Sequence, residues 1–324
     1  MSVVHRPGAA SVPEGGGAPP VEPDAVVATS QGAAKGPAPL PRVRKGGEAL
    51  YFAVRNKKLV VGFGIILFFL VASVAGPMFV DHGPNEYVGL PMEAPSSEFW
   101  LGTTFFGQDV FAQFAHGLRA TFFVGIVGGG IAAIIGMAVG FTAGYRGGFV
   151  DELLNMLTNV MLVIPTLAVL LIAAAYLSVR GVFVEALFIG FTSWPWAARA
   201  IRAQTFSLAS RDFVDLGRMS GLSVRRIIFR EIAPNMSSYL VMTFILLFGG
   251  AVLIAATLDF IGLGPTSGTS LGLMMNNAVQ WSALQLGLWW WFIPPGIGIT
   301  AIVGSLYVMN VGLDEVFNPK LREM

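Results

Sequence analysis

Six stretches of this chain are apolar over enough length to cross a bilayer, and polar or proline-broken segments separate them. A helix needs roughly 20 apolar residues to span about 30 Å of hydrocarbon. The candidates run approximately over 59–80, 119–143, 153–177, 182–203, 237–262 and 289–311. The pattern predicts an all-α polytopic membrane protein whose six-span domain occupies 59–324. The fourth candidate is interrupted by Trp194-Pro195-Trp196, a proline tolerated only where neighbouring helices or water take up the freed carbonyl. Its polar end is expected near Arg199.

Before the first span the pattern disappears. Residues 1–45 are rich in Pro, Gly, Ala and Val without period, cannot bury a core, and read as a disordered tail. Pro7, Pro13, Pro19 and Pro20 break any signal-peptide-like apolar run, so the tail is expected to stay in the cytoplasm. The segment 46–58 pairs apolar Leu50, Tyr51 and Val54 with Arg55, Lys57 and Lys58. It suits either a short helix along the inner leaflet or a basic stop flanking a span.

Charge changes the picture by its position. The chain is 54% hydrophobic and 12% charged, which excludes a soluble domain. Of its 20 Lys and Arg, 18 fall on the N-terminal side of the membrane in a six-span topology, leaving Arg119 and Arg180 opposite. That asymmetry predicts both termini in the cytoplasm. The segment 81–117 is then outside and acidic, with Asp81, Glu86, Glu93, Glu98 and Asp109.

The main polar interruption is RDFVDLGRMSGLSVRRIIFREIAPN, from Arg211 to Asn235, within a predicted cytoplasmic loop 204–235. It reads as helix, glycine break, helix, proline stop. Asp212 and Asp215 sit where a helix N-terminus favours acids, Gly221 suits a left-handed cap, Ser223 can start the next turn, and Pro234 ends it. Val224, Ile227, Ile228 and Ile232 form one apolar stripe, with Arg225, Arg226 and Arg230 elsewhere. Phe213, Leu216 and Gly217 repeat the spacing over two turns, followed by Leu222; so short a helix needs something to insert into.

This segment resembles the coupling loop of permease subunits of ABC importers. Asp215, Gly221 and Pro234 match its acid, glycine and late proline, while Leu216-Gly217 keeps half of a small-residue pair and Ala233 replaces a leucine. WLGTTFFGQDV from Trp100, GYRGGFVDELLNMLTNVMLVIP from Gly144, DFIGLG from Asp259 and LDEVFNPKLRE from Leu313 are similar to the dipeptide, oligopeptide and nickel branch. Thr104 and Gln108 stand where that branch usually has an acid and an arginine. The resemblance implies a type I importer permease fold, a homologous second permease subunit, two ATPase subunits and an extracytoplasmic substrate-binding protein. It implies di- or oligopeptide cargo, with cello- or manno-oligosaccharides or nickel as alternatives, and docking of the 204–235 loop on an ATPase. A secondary carrier is a further alternative, but no convincing internal repeat appears.

Chemistry within the chain itself is sparse. No G-x-x-x-x-G-K-[ST] loop occurs, so ATP and magnesium are expected on partner subunits, with no cofactor here. There is no cysteine, and His5, His82 and His116 are scattered, so neither a metal site nor a catalytic constellation is expected. No patch suggests nucleic acid. Asn155 and Asn159 are a helical turn apart and face either a polar pathway or a neighbouring helix. Asp259 attracts a cationic group, pairs with Arg119 or Arg180, or lies exposed at the interface; Glu185 is expected at the interface. Trp289, Trp290 and Trp291 read as a headgroup-depth anchor, or as stacked rings that hold a sugar.

Overall fold

A computed structural model describes residues 51–177, 180–266 and 268–317. The tail over 1–45 lies outside these, as do Lys320 and Arg322. The regular structure among the described residues is helical, apart from two isolated bridges, Tyr87 to Gln108 and Thr103 to Asp109. Residues 51–55 form a helical turn, with Tyr51 and Val54 exposed and Arg55 over the Tyr51 ring.

Helix α1 (Lys57–Ala75) is capped by Asn56, whose side chain accepts from the Leu59 amide, and a 3-10 turn (Gly76–Phe79) extends it. Then come α2 (Val110–Arg146), α3 (Gly148–Val163), α4 (Thr166–Tyr176) and α5 (Val182–Ala209). The polar interruption forms α6 (Asp212–Met219) and α7 (Val224–Ile227). After them run α8 (Ser237–Phe260), α9 (Leu271–Gln280) and α10 (Trp289–Phe317).

Helices cover all six predicted apolar stretches. Four of them, counting α1 with its 3-10 turn, α2, α8 and α10, are long and apolar enough to span a membrane singly, and α3 with α4 makes a fifth bent by 73°. The bend falls at Ile164-Pro165, because a residue before proline is pushed out of the helical region and Ile164 sits at ψ 122°. The sixth, α5, has 28 residues, length enough, but Glu185, Arg199 and Arg202 dilute its apolar content. It also continues past Arg199 to Ala209, further than expected. Helix α9 was not anticipated, although the Ser270 cap and Leu271, Met274 and Ala278 at offsets 0, 3 and 7 carry its signal.

Glycines set how closely the helices pack. A Cβ on Gly136, Gly140 or Gly144 of α2 would sit 2.9 Å from Ala197 Cβ, 2.8 Å from the Ala198 carbonyl and 2.6 Å from the Arg202 carbonyl of α5. From α5, a Cβ on Gly190 would press within 2.7 Å of Ile131. On another side of α2, a Cβ on Gly129 would lie 2.9 Å from the Phe248 backbone of α8. In lipid, where no hydrophobic effect drives helices together, such small-residue seams let backbones approach and gain dispersion contact. Helices α1 and α10 do the same at Gly62 and Gly312, and Asn56 and Lys58 bond Glu315 across the pair.

The segment before α2 is non-helical but held by its own hydrogen bonds. The buried Thr103 hydroxyl donates to the Leu90 carbonyl at 2.7 Å and accepts from the Glu93 amide at 2.8 Å. Thr104 accepts from the Phe106 and Gln108 amides, and Gln108 donates to Asn85. Thr104 and Gln108, which depart from the branch this segment resembles, therefore close a turn together. Asp109 caps α2 through the Phe111 amide and faces His82 at 3.2 Å.

The tryptophan expectation is corrected in part. Trp289 is half exposed, but Trp290 and Trp291 are 8% and 1% exposed and fill a cluster with Val110, Leu271 and Met274. Trp290 Nε1 donates to the Thr103 carbonyl at 3.1 Å, satisfying both groups as a buried indole requires. These two rings pack the segment 81–109 onto the helices and are open neither to headgroups nor to a sugar.

Replacing Gly140 by Leu is expected to destabilise the protein by about 1–3 kcal/mol, the usual effect of overpacking. Gly130→Ala on the same helix, where a Cβ meets nothing within 4 Å, should leave it unchanged. Thermal unfolding of the detergent-purified variants checks the pair; equal melting temperatures would show that the α2–α5 seam is not tight.

Candidate functional site

The Arg211–Asn235 segment folds as a helix pair in which each chain reversal has an identifiable cause. Asp212 and Asp215 lie in the first turn of α6 and Arg218 in its last, the arrangement that complements a helix dipole. The helix ends in a Schellman motif: the Leu222 amide donates to the Gly217 carbonyl at 3.2 Å and the Gly221 amide to the Arg218 carbonyl at 3.0 Å. Gly221 has φ +71°, the left-handed conformation that motif needs. Helix α7 then starts after Ser223, whose hydroxyl makes no capping bond.

Pro234 acts earlier than a simple stop. It has no amide to give the Arg230 carbonyl, and its ring crowds that position. The helix widens into a π-helical turn over Ile228–Ile232, with the Ala233 amide reaching back to the Ile228 carbonyl, and regular turns resume over Ala233–Asn235 before Met236 breaks the direction. Sequence patterning alone does not reveal this widening.

The apolar stripes are sorted differently from the expectation. Ile227, Ile228 and Ile232 are buried with Val214, while Val224 is half exposed. On α6 the inward residues are Val214 and Gly217, with Phe213 and Leu222 partly buried against the apolar cluster that also holds Ile201, Trp194 and Phe141. Phe213 is therefore an internal contact. Leu216 and Met219 are 65% and 88% exposed, and with Asp212 they fall at offsets 0, 4 and 7, one free face of α6. The sequence reading missed Met219. Arg225, Arg226 and Pro234 are exposed as well.

Side chains fix this helix pair to the long helices. Arg218 donates to Asp215 at 2.8 Å and to the Tyr145 hydroxyl at 3.4 Å, with its guanidinium 5.3 Å above the Tyr145 ring. The tyrosine hydrogen bond raises the arginine's already high pKa further, so its charge is permanent. Tyr145 belongs to the last turn of α2, and Arg202 of α5 forks onto Asp151 of α3 through two bonds of 2.5 and 2.6 Å. The ends of α2, α3 and α5 and the helix pair thus form one connected corner.

Of the remaining candidates, Asn159 accepts from Arg199 at 2.6 Å, an interhelical hydrogen bond between α3 and α5, and Asn155 is half-buried one turn before it. Asp259 is corrected: it pairs with neither arginine and is 2% exposed. Arg119 instead donates to the Ser73 and Val74 carbonyls, which the end of α1 leaves unpaired. Ser270 donates to Asp259, and Glu185 lines the same crevice.

Residues 136–323 match the profile of the binding-protein-dependent transport system inner membrane component. Similar proteins include a provisionally named peptide transport system permease protein of Brucella abortus biovar 1, 29% identical over 83% of this chain and 90% of the relative. The dipeptide transport system permease protein DppC of Alkalihalophilus pseudofirmus is 29% identical over 85% and 90% respectively.

Leu216→Asp is expected to change stability by less than about 0.5 kcal/mol, as for exposed sites. Phe213→Asp, which drives a charge into the packed corner, should lower the melting temperature clearly, and Gly221→Val should cost about 1 kcal/mol or more. Thermal unfolding of the three purified variants tests the ranking; Leu216→Asp as damaging as Phe213→Asp would reverse the assignment of faces.

Proposed function

The chain belongs to the binding-protein-dependent transport system inner membrane components, and we propose that it is a six-span permease subunit of an ATP-driven peptide importer. The observation that carries the mechanism is the helix pair α6–α7: rigidly capped, tied to α2 through Arg218 and Tyr145, yet presenting Leu216 and Met219 outward. An apolar pair on one face of a largely polar knob fits insertion into a groove of an ATPase. The chain is the transport subunit, and hydrolysis belongs to that partner.

The full assembly has a second, homologous permease completing the pathway, two ATPases on the cytoplasmic side and a soluble protein delivering cargo from the other. The distribution of Lys and Arg supports cytoplasmic termini. Closure of the ATPase pair on ATP moves the knobs as levers and turns the pathway outward; hydrolysis resets it. Asp212, Asp215, Gly217, Gly221, Leu222, Arg225, Arg226 and Pro234 shape and charge the knob, while Asn155 and Asn159 lie along the pathway helix α3. Peptide cargo is supported by the names of the relatives, and burial of Trp290 and Trp291 leaves Trp289 alone of the three rings that favoured a sugar.

In the reconstituted complex, Leu216→Asp with Met219→Asp should leave expression intact and abolish ligand-stimulated ATP hydrolysis and uptake, since a buried unpaired charge at an interface costs several kcal/mol. Full stimulated hydrolysis in that double variant would remove the knob from coupling. In the cysteine-free background, an impermeant maleimide should label Gly89→Cys but not Arg218→Cys in intact cells; labelling of both would overturn the orientation.

A further inference from the structure

Glu185 and Asp259 bring two carboxyl groups together where α5 begins and α8 ends. Glu185 is in the first turn of α5, Asp259 is the penultimate residue of α8, and both line one crevice with Ser270. Glycines clear the space around them. A Cβ at Gly264 would collide with the Asp259 carboxylate, and one at Gly272 would lie 2.6 Å from Asp259 Cβ. The backbone after α8 and the start of α9 are thus wrapped closely round this acid.

The available donors do not satisfy the pair. Ser270 caps α9 by accepting from the Leu273 amide at 3.0 Å, which directs its own proton to Asp259 Oδ2. Asp259 Oδ1 and Glu185 Oε1 remain buried with no hydrogen-bond partner. The crevice they line is otherwise apolar, with Val124, Val182, Val252 and Ala255. Its one hydroxyl from α2, on Thr121, is already donated to the Gly117 carbonyl.

No cation neutralises them. Among the described residues neither carboxyl has an ion-pair partner. Arg180 lines the adjoining crevice on the other side of Glu185 without pairing, Arg119 of α2 is bound to carbonyls of α1, and α9 offers only Ser270. The N-terminus of α5 supplies about half a positive charge, which suits one carboxylate and not two. Like charges sharing one crevice away from water do not both persist unless a positive charge joins them.

We propose that Glu185, Asp259 and Ser270 form a binding site for one small monovalent cation, a proton or an alkali ion, that clamps the start of α5 to the end of α8. The unpartnered Asp259 and Glu185 oxygens are its free ligands. This role is separate from coupling to an ATPase and does not depend on it.

The test is thermal unfolding of the purified full-length chain from pH 5 to pH 9, first with choline as the only monovalent salt cation and then with sodium or potassium. Loss of the bound charge leaves two facing carboxylates, so the wild-type melting temperature should fall as pH rises. Glu185→Gln keeps the shape, removes one charge, and should flatten that profile and melt above wild type at pH 9. If sodium or potassium restores the wild type at pH 9 and leaves Glu185→Gln unchanged, the occupant is an alkali ion; a pH profile unaffected by either salt identifies the proton. Asp259→Asn is the second variant, with the same expectation. Wild-type and variant profiles that coincide in both salts would overturn the proposal.

Discussion

The close approach of α2 and α5 is the contact on which the other placements rest. Gly136, Gly140 and Gly144 let the α2 backbone sit directly against the backbone and Cβ atoms of α5. A membrane interior offers no solvent-driven force to hold helices together, so proximity itself must supply the attraction. Because α5 leads directly into α6, the seam also fixes where the helix pair begins. The buried corner of Val214, Ile227 and Ile232 packs onto Ile201 and Trp194 of the same helix.

Rigidity of the knob then comes from polar geometry. The Schellman turn at Gly221 sets the angle between α6 and α7, the π-turn before Pro234 absorbs the missing amide, and the Arg218–Tyr145 contact fastens the pair to α2. Each is local and modest in energy. Together they leave Leu216 and Met219 exposed on a surface that does not collapse inward, as the proposed docking would require.

Much of this was legible in the sequence, because hydrophobic length and glycine chemistry are one-dimensional signals. All six helical stretches fell where apolar runs lay, and the left-handed Gly221 followed from a break between two amphipathic turns. The misses have a common physical origin. Whether Phe213 or Met219 faces outward depends on which side of a two-turn helix meets Ile201, and no periodicity within eight residues decides that. Trp290 and Trp291 looked like an interfacial belt because the segment 81–109, which covers them, lies almost two hundred residues away. Asp259 was expected to attract a cationic group, pair with Arg119 or Arg180, or lie exposed; that it is buried and that Arg119 is already committed to the end of α1 are facts of tertiary structure.

Helix α2 is 37 residues long, about 55 Å at 1.5 Å per residue, well beyond the hydrocarbon thickness. One end is pinned at Asp109 beside His82, the other at Tyr145 beneath Arg218, and the glycine seam grips it between. Were such a rod to pivot where Gly140 is gripped, about 9 Å from one end and about 45 Å from the other at 1.5 Å per residue, a tilt of about 5° would move the near tip by less than about 1 Å and the far tip by about 4 Å in the opposite direction. On the proposed coupling role, a push on the knob would then reach the far end of α2 reversed in sign and enlarged, with no unfolding or side-chain relay in between.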